Sequence, residues 1–403
     1  MRQNSEHETL NRIQFLTGGA DIILGLRDVP AKAPFDEEML FFLDAVSKKL
    51  MSAQEARAYP DVVTFAFWIR GASLAKLKER FAHKELFRLG RGAVFHIAPS
   101  NVPVNFAYSL AAGLLTGNAN IVRVPSKDFP QIGLIAGAFN SALEEQSALM
   151  PYICLVRYAR DREINDLFSS MADVRVVWGG DATISELRQS PLASRAEEIT
   201  FADRYSLAII DSDAYMEIED KERVAEDFYN DTFLTDQNAC TSPRLIAWMG
   251  TRIDEAKKEF WLREHDLARK KYVFQDIQGV DKLTTCCIIA ASEPGVRLHP
   301  EADNLIVRLN VSLPVPGLMK YTVNSGCFLE CDCRNILELR EFCDNKKCQT
   351  LAYIGDRNNL LPLLQSGVKG IDRVVPIGRT MDFDLIWDGY DLVERLTRTV
   401  TLR

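Results

Sequence analysis

The sequence predicts an α/β protein built on parallel sheets, and three observations carry that prediction. Short β-prone apolar runs alternate with segments of helical periodicity, several runs end in turns rich in Gly, Asn or Pro, and 403 residues exceed what one small core accommodates. From Asp36 to Phe81 the apolar positions Met39, Phe42, Leu43, Val46 and Leu50 recur at helical spacing, which predicts a helical N-terminal segment over about residues 1–90 whose task is packing. Ala93 to Ala98 then reads as a strand, Asn101-Val-Pro103 as a turn, and Phe106 to Leu115 as a helix of small residues opened by Pro103. The order repeats, with strands at Ile121 to Val124, Val174 to Trp178 and Leu207 to Ile210. A second alternating region, from about Ser206 to Gly370, offers strands at Leu245 to Trp248, Cys287 to Ala290, Phe328 to Cys331 and Leu351 to Ile354. Two α/β domains are the simplest account. The end of the chain, Thr399 to Leu402, is β-prone and suited to pairing with another strand or another subunit.

Composition narrows the function. Hydrophobic residues make up 47% and charged residues 26%, ordinary values that exclude disordered and fibrous classes. Lys and Arg number 48 against 56 Asp and Glu, a net charge of −8, so the chain lacks the positive field of a nonspecific nucleic-acid binder. Met1 to Gln14 is polar where a secretory signal has an apolar core, and the most apolar stretch, Phe106 to Val122, is broken by Gly113, Gly117, Asn118 and Asn120. Neither an export signal nor a membrane span is expected. Nine cysteines, an odd number, then point to reduced thiols and a cytoplasmic location rather than a disulfide framework.

Chemistry concentrates at a few turns. Asp236-Gln-Asn-Ala-Cys240-Thr-Ser-Pro243 connects an expected helix, Glu222 to Phe233, with the strand Leu245 to Trp248. Backbone N–H groups or a helix N-terminus around such a loop lower a thiol pKa from about 8.5 toward neutrality, and the thiolate attacks carbonyl carbon. Most free cysteines are instead small buried hydrophobes, and spacing alone does not lift Cys240 above that role. Asn101, between strand and helix, is placed to aim its amide at an oxyanion, together with the Cys240 N–H and a helix N-terminus, or simply to cap the helix. Arg123-Val-Pro-Ser126-Lys127 ends a strand with two cations and a hydroxyl at a βα turn, the edge where open α/β sheets bind ligands. That set suits a ribose 2′-phosphate; a ribose diol asks for a carboxylate acceptor, and the run has none, so NADP(H) is the cofactor expected. A solvated basic patch is the plainer alternative. Gly179-Gly180, after Trp178, permit close approach of a pyrophosphate at a helix N-terminus. Two glycines are a weak signal alone, and no G-x-G-x-x-G run is present, since Gly90-Arg-Gly92 precedes a strand.

Taken in order, these segments resemble the aldehyde dehydrogenase superfamily, and within it the LuxC-type fatty acyl-CoA reductases of bacterial bioluminescence. The resemblance runs over nearly the whole chain and rests on Ile97-Ala-Pro-Ser-Asn101, Gly117-Asn118 with Arg123 to Lys127, Ser206 to Ala214 leading into Gln237-x-x-Cys240, and the late Gly378 and Trp387-Asp-Gly389. It implies two Rossmann-type domains: a cofactor domain over 1–204, a catalytic domain over 205–370, and a segment 371–403 that returns to the cofactor domain and carries an oligomerisation strand. It implies Cys240 as nucleophile, Asn101 as oxyanion donor, contacts to the 2′-phosphate of NADPH at Arg123, Ser126 and Lys127, and a further cofactor contact at Gly179 and Gly180. The reaction implied is reduction of an acyl-CoA, acyl-carrier-protein or acyl-protein thioester to an aldehyde by a homo-oligomer, with an acyl-activating or acyl-transferring protein as partner. The superfamily's hydrolytic members carry a glutamate base in a Glu-Leu-Gly-Gly pattern where this chain has Phe201-Ala-Asp-Arg204; without it, a Cys240 thioester survives to receive hydride. Arg123 stands for the usual lysine, and the glutamate before the superfamily's Phe-Gly-Pro is not evident near Ser325-Gly326. Reduction of an acyl phosphate on the same scaffold and acyl transfer without redox chemistry are the alternatives.

Other features have plainer readings. Cys327, Cys331, Cys333, Cys343 and Cys348 contain no C-x-x-C pair and no nearby histidine, so packing is expected rather than a metal. Cys286 and Cys287 would face opposite ways on a strand, His96 reads as a satisfied structural histidine, and Glu226 and Asp227 as solvated carboxylates.

Overall fold

The computed structural model describes residues 2–81, 86–321 and 324–402, and the chain divides into two units, Met1–Ala202 with Tyr390–Arg403, and Asp203–Gly389. In the first, β1 (Gln14–Thr17), β3 (Ala93–Ile97), β4 (Ala119–Arg123), β5 (Ile153–Arg157), β6 (Val174–Trp178) and β7 (Glu197–Phe201) form a sheet in the order β1-β5-β4-β3-β6-β7. All neighbours are parallel except β1 on β5. Strand β2 (Phe87–Gly90) pairs antiparallel with the tail strand Thr397–Val400, within the same unit. Strand β3 lies at the centre with all five residues buried, the unbroken apolar run of a strand flanked on both sides within a parallel sheet.

Packing explains the small residues of the following helix, Asn105–Leu115. A Cβ on Gly113 would come within 1.9 Å of Asn120 Oδ1 on β4, so glycine lets helix and sheet approach. The helix starts two residues beyond Pro103, at Asn105 with Val104 as N-cap, so Pro103 belongs to the turn and does not open the helix. At the end of that helix Asn118 ties three segments together: Oδ1 accepts from Gly92 N (3.0 Å), while Nδ2 donates to Thr116 Oγ1 (2.8 Å) and Leu396 O (3.0 Å). The N-terminal helix Glu37–Ser52 is capped by Asp36, which accepts from Glu38 N, and buries Met39, Phe42, Leu43, Val46 and Leu50, the stripe that the spacing predicted. The stretch 1–90 is not helical throughout, however. Gln14–Thr17 supplies β1 and Phe87–Gly90 supplies β2, because four-residue edge strands are too short to show a period.

The second unit holds a seven-stranded sheet in the order β10-β11-β12-β9-β8-β13-β14, formed by β8 (Tyr205–Asp211), β9 (Pro243–Met249), β10 (Val296–Leu298), β11 (Val307–Val311), β12 (Cys327–Asp332), β13 (Cys348–Ile354) and β14 (Arg373–Pro376). It is parallel apart from β10. Alternation sorts its core. Leu207, Ile209, Leu245, Ala247, Leu329 and Leu351 face one apolar layer, whereas Ala208, Ile210, Ile246, Trp248, Phe328 and Ala352 face the other, against Phe228, Phe260 and Trp261 of the helices Lys221–Asp231 and Ile253–Lys271. The expected strand Cys287 to Ala290 is instead the last part of a helix, Asp276–Ser292. Its apolar run is short enough to fit either state, and the capping box of Gln275 and Gln278 decides for helix. Cys286 is accordingly buried and Cys287 exposed on adjacent helical positions.

Candidate functional site

In the second unit Cys240 lies at the N-terminal edge of the sheet, on the loop between the short turn Phe233–Thr235 and β9. The loop is wound tightly. Asp236 (φ 52°) and Gln237 (φ 55°) are consecutive left-handed residues, a costly backbone that persists only where side chains hold it. Gln237, fully buried, does the holding: Oε1 accepts from Gly326 N (2.8 Å) and Cys327 N (3.1 Å), and Nε2 donates to Cys327 O (3.1 Å). Asp236 Oδ1 accepts from Tyr272 Oη (2.5 Å) and Gln278 Nε2 (3.3 Å). On the other side Ser206 of β8 donates to the Cys240 carbonyl (2.7 Å) and accepts from Thr350 N on β13 (3.3 Å). Thus β8 and β12 tether the loop directly, Ser206 being held in turn from β13, and Cys240 is presented by a backbone with little freedom.

The electrostatics run opposite to the activation that loop position alone predicted. Cys240 is half-buried as a residue, but its thiol is desolvated, and burial together with the negative charge of Asp388 pushes its pKa up to about 12, only partly opposed by its own backbone N–H and by Arg204 and Arg244. Burial favours the neutral thiol, and Cys240 precedes a strand rather than a helix, whose N-terminus would have supported the anion. Asp388 itself is buried, and desolvation raises its carboxyl to about 6 against the pull of Arg204 and Arg373. Its Oδ1 accepts from Gln349 Nε2. Arg204 pairs with Asp372; Arg373 stacks on Trp387 at 4.0 Å and donates to the Thr380 and Asp382 carbonyls (both 3.1 Å). Periodicity does not single out these residues; the Trp387-Asp-Gly389 motif was the one signal toward Asp388.

In the first unit the other candidates gather along the C-terminal edge of the sheet. Asn101 follows β3, Arg123 ends β4 with Ser126 and Lys127 after it, and Gly179 and Gly180 follow β6. Strand β4 flanks β3 on one side and β6 on the other, so the chain leaves β3 and β6 in opposite directions and Asn101 and Gly179 border the switch point where such sheets take ligands. Asn101 is exposed and caps nothing. Arg123 donates to Tyr158 O (3.3 Å) and lies over the Tyr158 ring at 4.4 Å; Lys127 lies 4.9 Å from the Phe129 ring. Neither has an acidic partner among the described residues, Asp128 being taken by Arg157. Two uncompensated cations beside the exposed Ser126 hydroxyl fit a phosphate monoester. The helix after Gly180 fits less well than its position suggested: it has seven residues and Asp181 in its first turn, so a pyrophosphate there meets glycine backbone rather than a favourable helix end. His96 is buried, bonded to Ser109 Oγ (2.7 Å) and Asn120 Oδ1 (3.0 Å), the structural histidine expected. A cavity of about 840 Å³ in the second unit lies away from Cys240, around Lys257, Arg308 and Glu330, whose charges are paired. Among the described residues no helix is long and apolar enough to cross a membrane.

This fold, two units each built on a mostly parallel sheet, is that of the aldehyde dehydrogenases. An oxidoreductase from Marinobacter aquaeolei superposes with a TM-score of 0.69 at 13% identity, covering 94% of this chain and 89% of that one. An NAD-dependent benzaldehyde dehydrogenase from Corynebacterium glutamicum gives 0.65 at 15% identity, over 94% and 88%. Within that fold the chain belongs to the acyl-CoA reductase (LuxC) family, whose model matches residues 25–268, in agreement with the resemblance read from its motifs. It is similar to a long-chain acyl-protein thioester reductase of Vibrio harveyi, 23% identical over 77% of this chain and 64% of that protein, and to long-chain acyl-protein thioester reductase 2 of Photobacterium leiognathi, 27% identical over 41% and 34%. The chain therefore spans less than two thirds of the length of these relatives.

Proposed function

We propose that the chain reduces an acyl thioester to an aldehyde with NADPH through a thioester on Cys240. The observation that carries this reading is the Cys240 loop, held from several sides in a chain of the acyl-CoA reductase family. Cys240 Sγ attacks the acyl carbonyl carbon, the new C–S bond replaces the donor's, and the donor thiol leaves. In this reading the Asn101 amide is assigned the oxyanion. NADPH, when bound, supplies a hydride; Arg123, Ser126 and Lys127 are the residues assigned to its 2′-phosphate, and the Gly179–Gly180 backbone to its pyrophosphate. Cleavage of the Cys240–carbon bond then frees the aldehyde. The stretch Phe201 to Arg204 offers no glutamate, and Arg204 is engaged by Asp372, which supports reduction over hydrolysis. The names of the Vibrio and Photobacterium relatives make long-chain acyl-protein the first donor to try.

The test offers acyl-protein, acyl-CoA and acyl phosphate to the wild type and to Cys240→Ser, following NADPH oxidation and identifying aldehyde by mass. Thioester-dependent oxidation that Cys240→Ser abolishes is expected. Full activity in that variant, or stable acylation without NADPH consumption, overturns the reading, and turnover of acyl phosphate alone replaces the substrate class.

A further inference from the structure

The geometry points to Cys286 and Cys327 as a reversible disulfide pair that fastens together the helix and the strand holding the Cys240 loop. Both thiols are free and buried, and their sulfurs lie 2.9 Å apart, within about 1 Å of bonding distance. The partners come from separate elements, Cys286 from the helix Asp276–Ser292 and Cys327 from the first position of β12, so a bond between them closes a long loop of chain. Cys331 and Cys333 also approach each other, at 3.8 Å, but a bond there would join one strand end to itself and fasten nothing.

The surroundings favour reaction at this pair. Lys282 lies one helical turn before Cys286 and so on the same face. It is buried, and its ammonium donates to Ser325 O (2.7 Å) and Leu305 O (2.9 Å), which ties the helix to the approach of β12. A thiol with a second thiol as donor and a buried cation one turn away is placed to ionise. The hydrogen bond from Cys327 and, against burial, the charge of Lys282 hold Cys286 below its ordinary value, whereas burial and the neighbouring Cys286 raise Cys327. Cys286 is therefore the attacking sulfur and Cys327 the resolving one. Cys287 and Ile288, next along the helix, are exposed, so Cys286 lies one helix width from solvent.

The position of the bond gives it a consequence. Asp236 of the Cys240 loop is held by Gln278 of this same helix, and Gln237 by the backbone of Gly326 and Cys327. Hydrogen bonds already join loop to helix and loop to strand; the disulfide supplies the third side, helix to strand. Any opening of the loop must then work against elements joined covalently.

Hydrogen peroxide serves as the oxidant. The Cys286 thiolate attacks one peroxide oxygen and the O–O bond breaks, leaving a sulfenic acid and a hydroxide that takes the thiol's proton and departs as water. The Cys327 sulfur then attacks the Cys286 sulfur, the S–O bond breaks, and a second water leaves with the Cys327 proton. Two thiols lose two electrons, the peroxide gains them, and a dithiol reductant reverses the change.

The experiment uses the full chain carrying Cys287→Ser, so that one candidate thiol remains on that helix, with and without Cys286→Ala. Each protein is treated with hydrogen peroxide at neutral pH, its cysteine peptides are mapped by mass, and alkylation of Cys240 by iodoacetamide is followed before oxidation, after it, and after dithiothreitol. The expected result is a linked Cys286–Cys327 peptide lighter by two hydrogens, a higher urea midpoint and a several-fold slower alkylation of Cys240. All three are reversed by dithiothreitol and absent with Cys286→Ala. Cys286 and Cys327 that stay separate thiols in the folded chain, or that link only in urea, overturn the pair. Linkage that leaves both the urea midpoint and Cys240 alkylation unchanged overturns the fastening, as does slowing that persists with Cys286→Ala. Should that variant fail to fold, the linked peptide and its reversal in the parent chain decide the matter. No acyl donor enters these measurements, so the proposed reductase activity and this pair stand or fall separately.

Discussion

Gln237 shows how much one side chain holds in place around Cys240. It satisfies two backbone N–H groups and one carbonyl at the start of β12 while keeping its own backbone left-handed. Gln237→Ala strands those groups and is expected to cost about 1–3 kcal/mol, read as a lower urea midpoint, and to slow acylation further than stability alone explains. A variant with wild-type midpoint and acylation contradicts the tethering role. The cations at the other edge make a separate prediction. If Arg123 and Lys127 bind a 2′-phosphate, replacing both by alanine raises the KM for NADPH at least ~10-fold, by the loss of charged hydrogen bonds at about 1.5–3 kcal/mol each, and leaves the weaker use of NADH nearly unchanged. Equal effects on both cofactors would return the pair to an ordinary solvated patch.

At the scale of elements, Gly113 is where helix Asn105–Leu115 meets β4. A methyl there would sit 1.9 Å from Asn120 Oδ1 and 3.1 Å from His96 Nε2, so even Gly113→Ala overpacks the contact and disturbs the buried bond between those two side chains. A loss of about 1–3 kcal/mol is expected, seen as a thermal midpoint several degrees lower; a midpoint within one degree of wild type would show that the helix yields freely. The Asp276–Ser292 helix teaches the converse. Its apolar run was read as a strand because four to six residues cannot report a period, and only its length and its capping box, 17 residues beginning at Asp276, separate the two states.

For the whole molecule, two buried groups give the units opposite responses to pH. His96 in the first unit is held neutral by burial, its pKa lowered to about 4. The unfolded imidazole takes its proton near 6.5, so this contribution is intact above that pH and is lost, to the extent of roughly 3 kcal/mol, as pH falls toward 4. Glu264 in the second unit is fully buried, its two carboxyl oxygens lack hydrogen-bond partners, and burial with the charges of Glu226 and Asp231 raises its pKa well above 4.5. Here the neutral form is favoured: the contribution is full below about 4.5 and is lost as pH climbs through the raised folded value. Chemical denaturation at about pH 5 and pH 8 should therefore show a smaller loss of second-unit stability in Glu264→Gln than in the wild type, while His96→Gln flattens the acid limb of the first unit. Slopes unchanged by these substitutions would mean that neither group titrates as its burial demands.

Sequence by itself determined the alternation that makes two parallel sheets, the buried stripe from Met39 to Leu50, and the family, because period and motif order are local signals that survive in one dimension. It also marked Cys240, Arg123, Ser126 and Lys127, since a strand followed by a turn places them at sheet edges wherever the fold puts the sheets. The edge strand Gln14–Thr17, the pairing of Thr397–Val400 with Phe87–Gly90, and the helical state of Cys287 were decided by partners far away in the chain. So was the protonation of Cys240. Loop position suggested a stabilised thiolate, but the thiol is pushed up first by exclusion of water, which no segment has until the others close around it, and then by Asp388, against its own backbone N–H and the charges of Arg204 and Arg244.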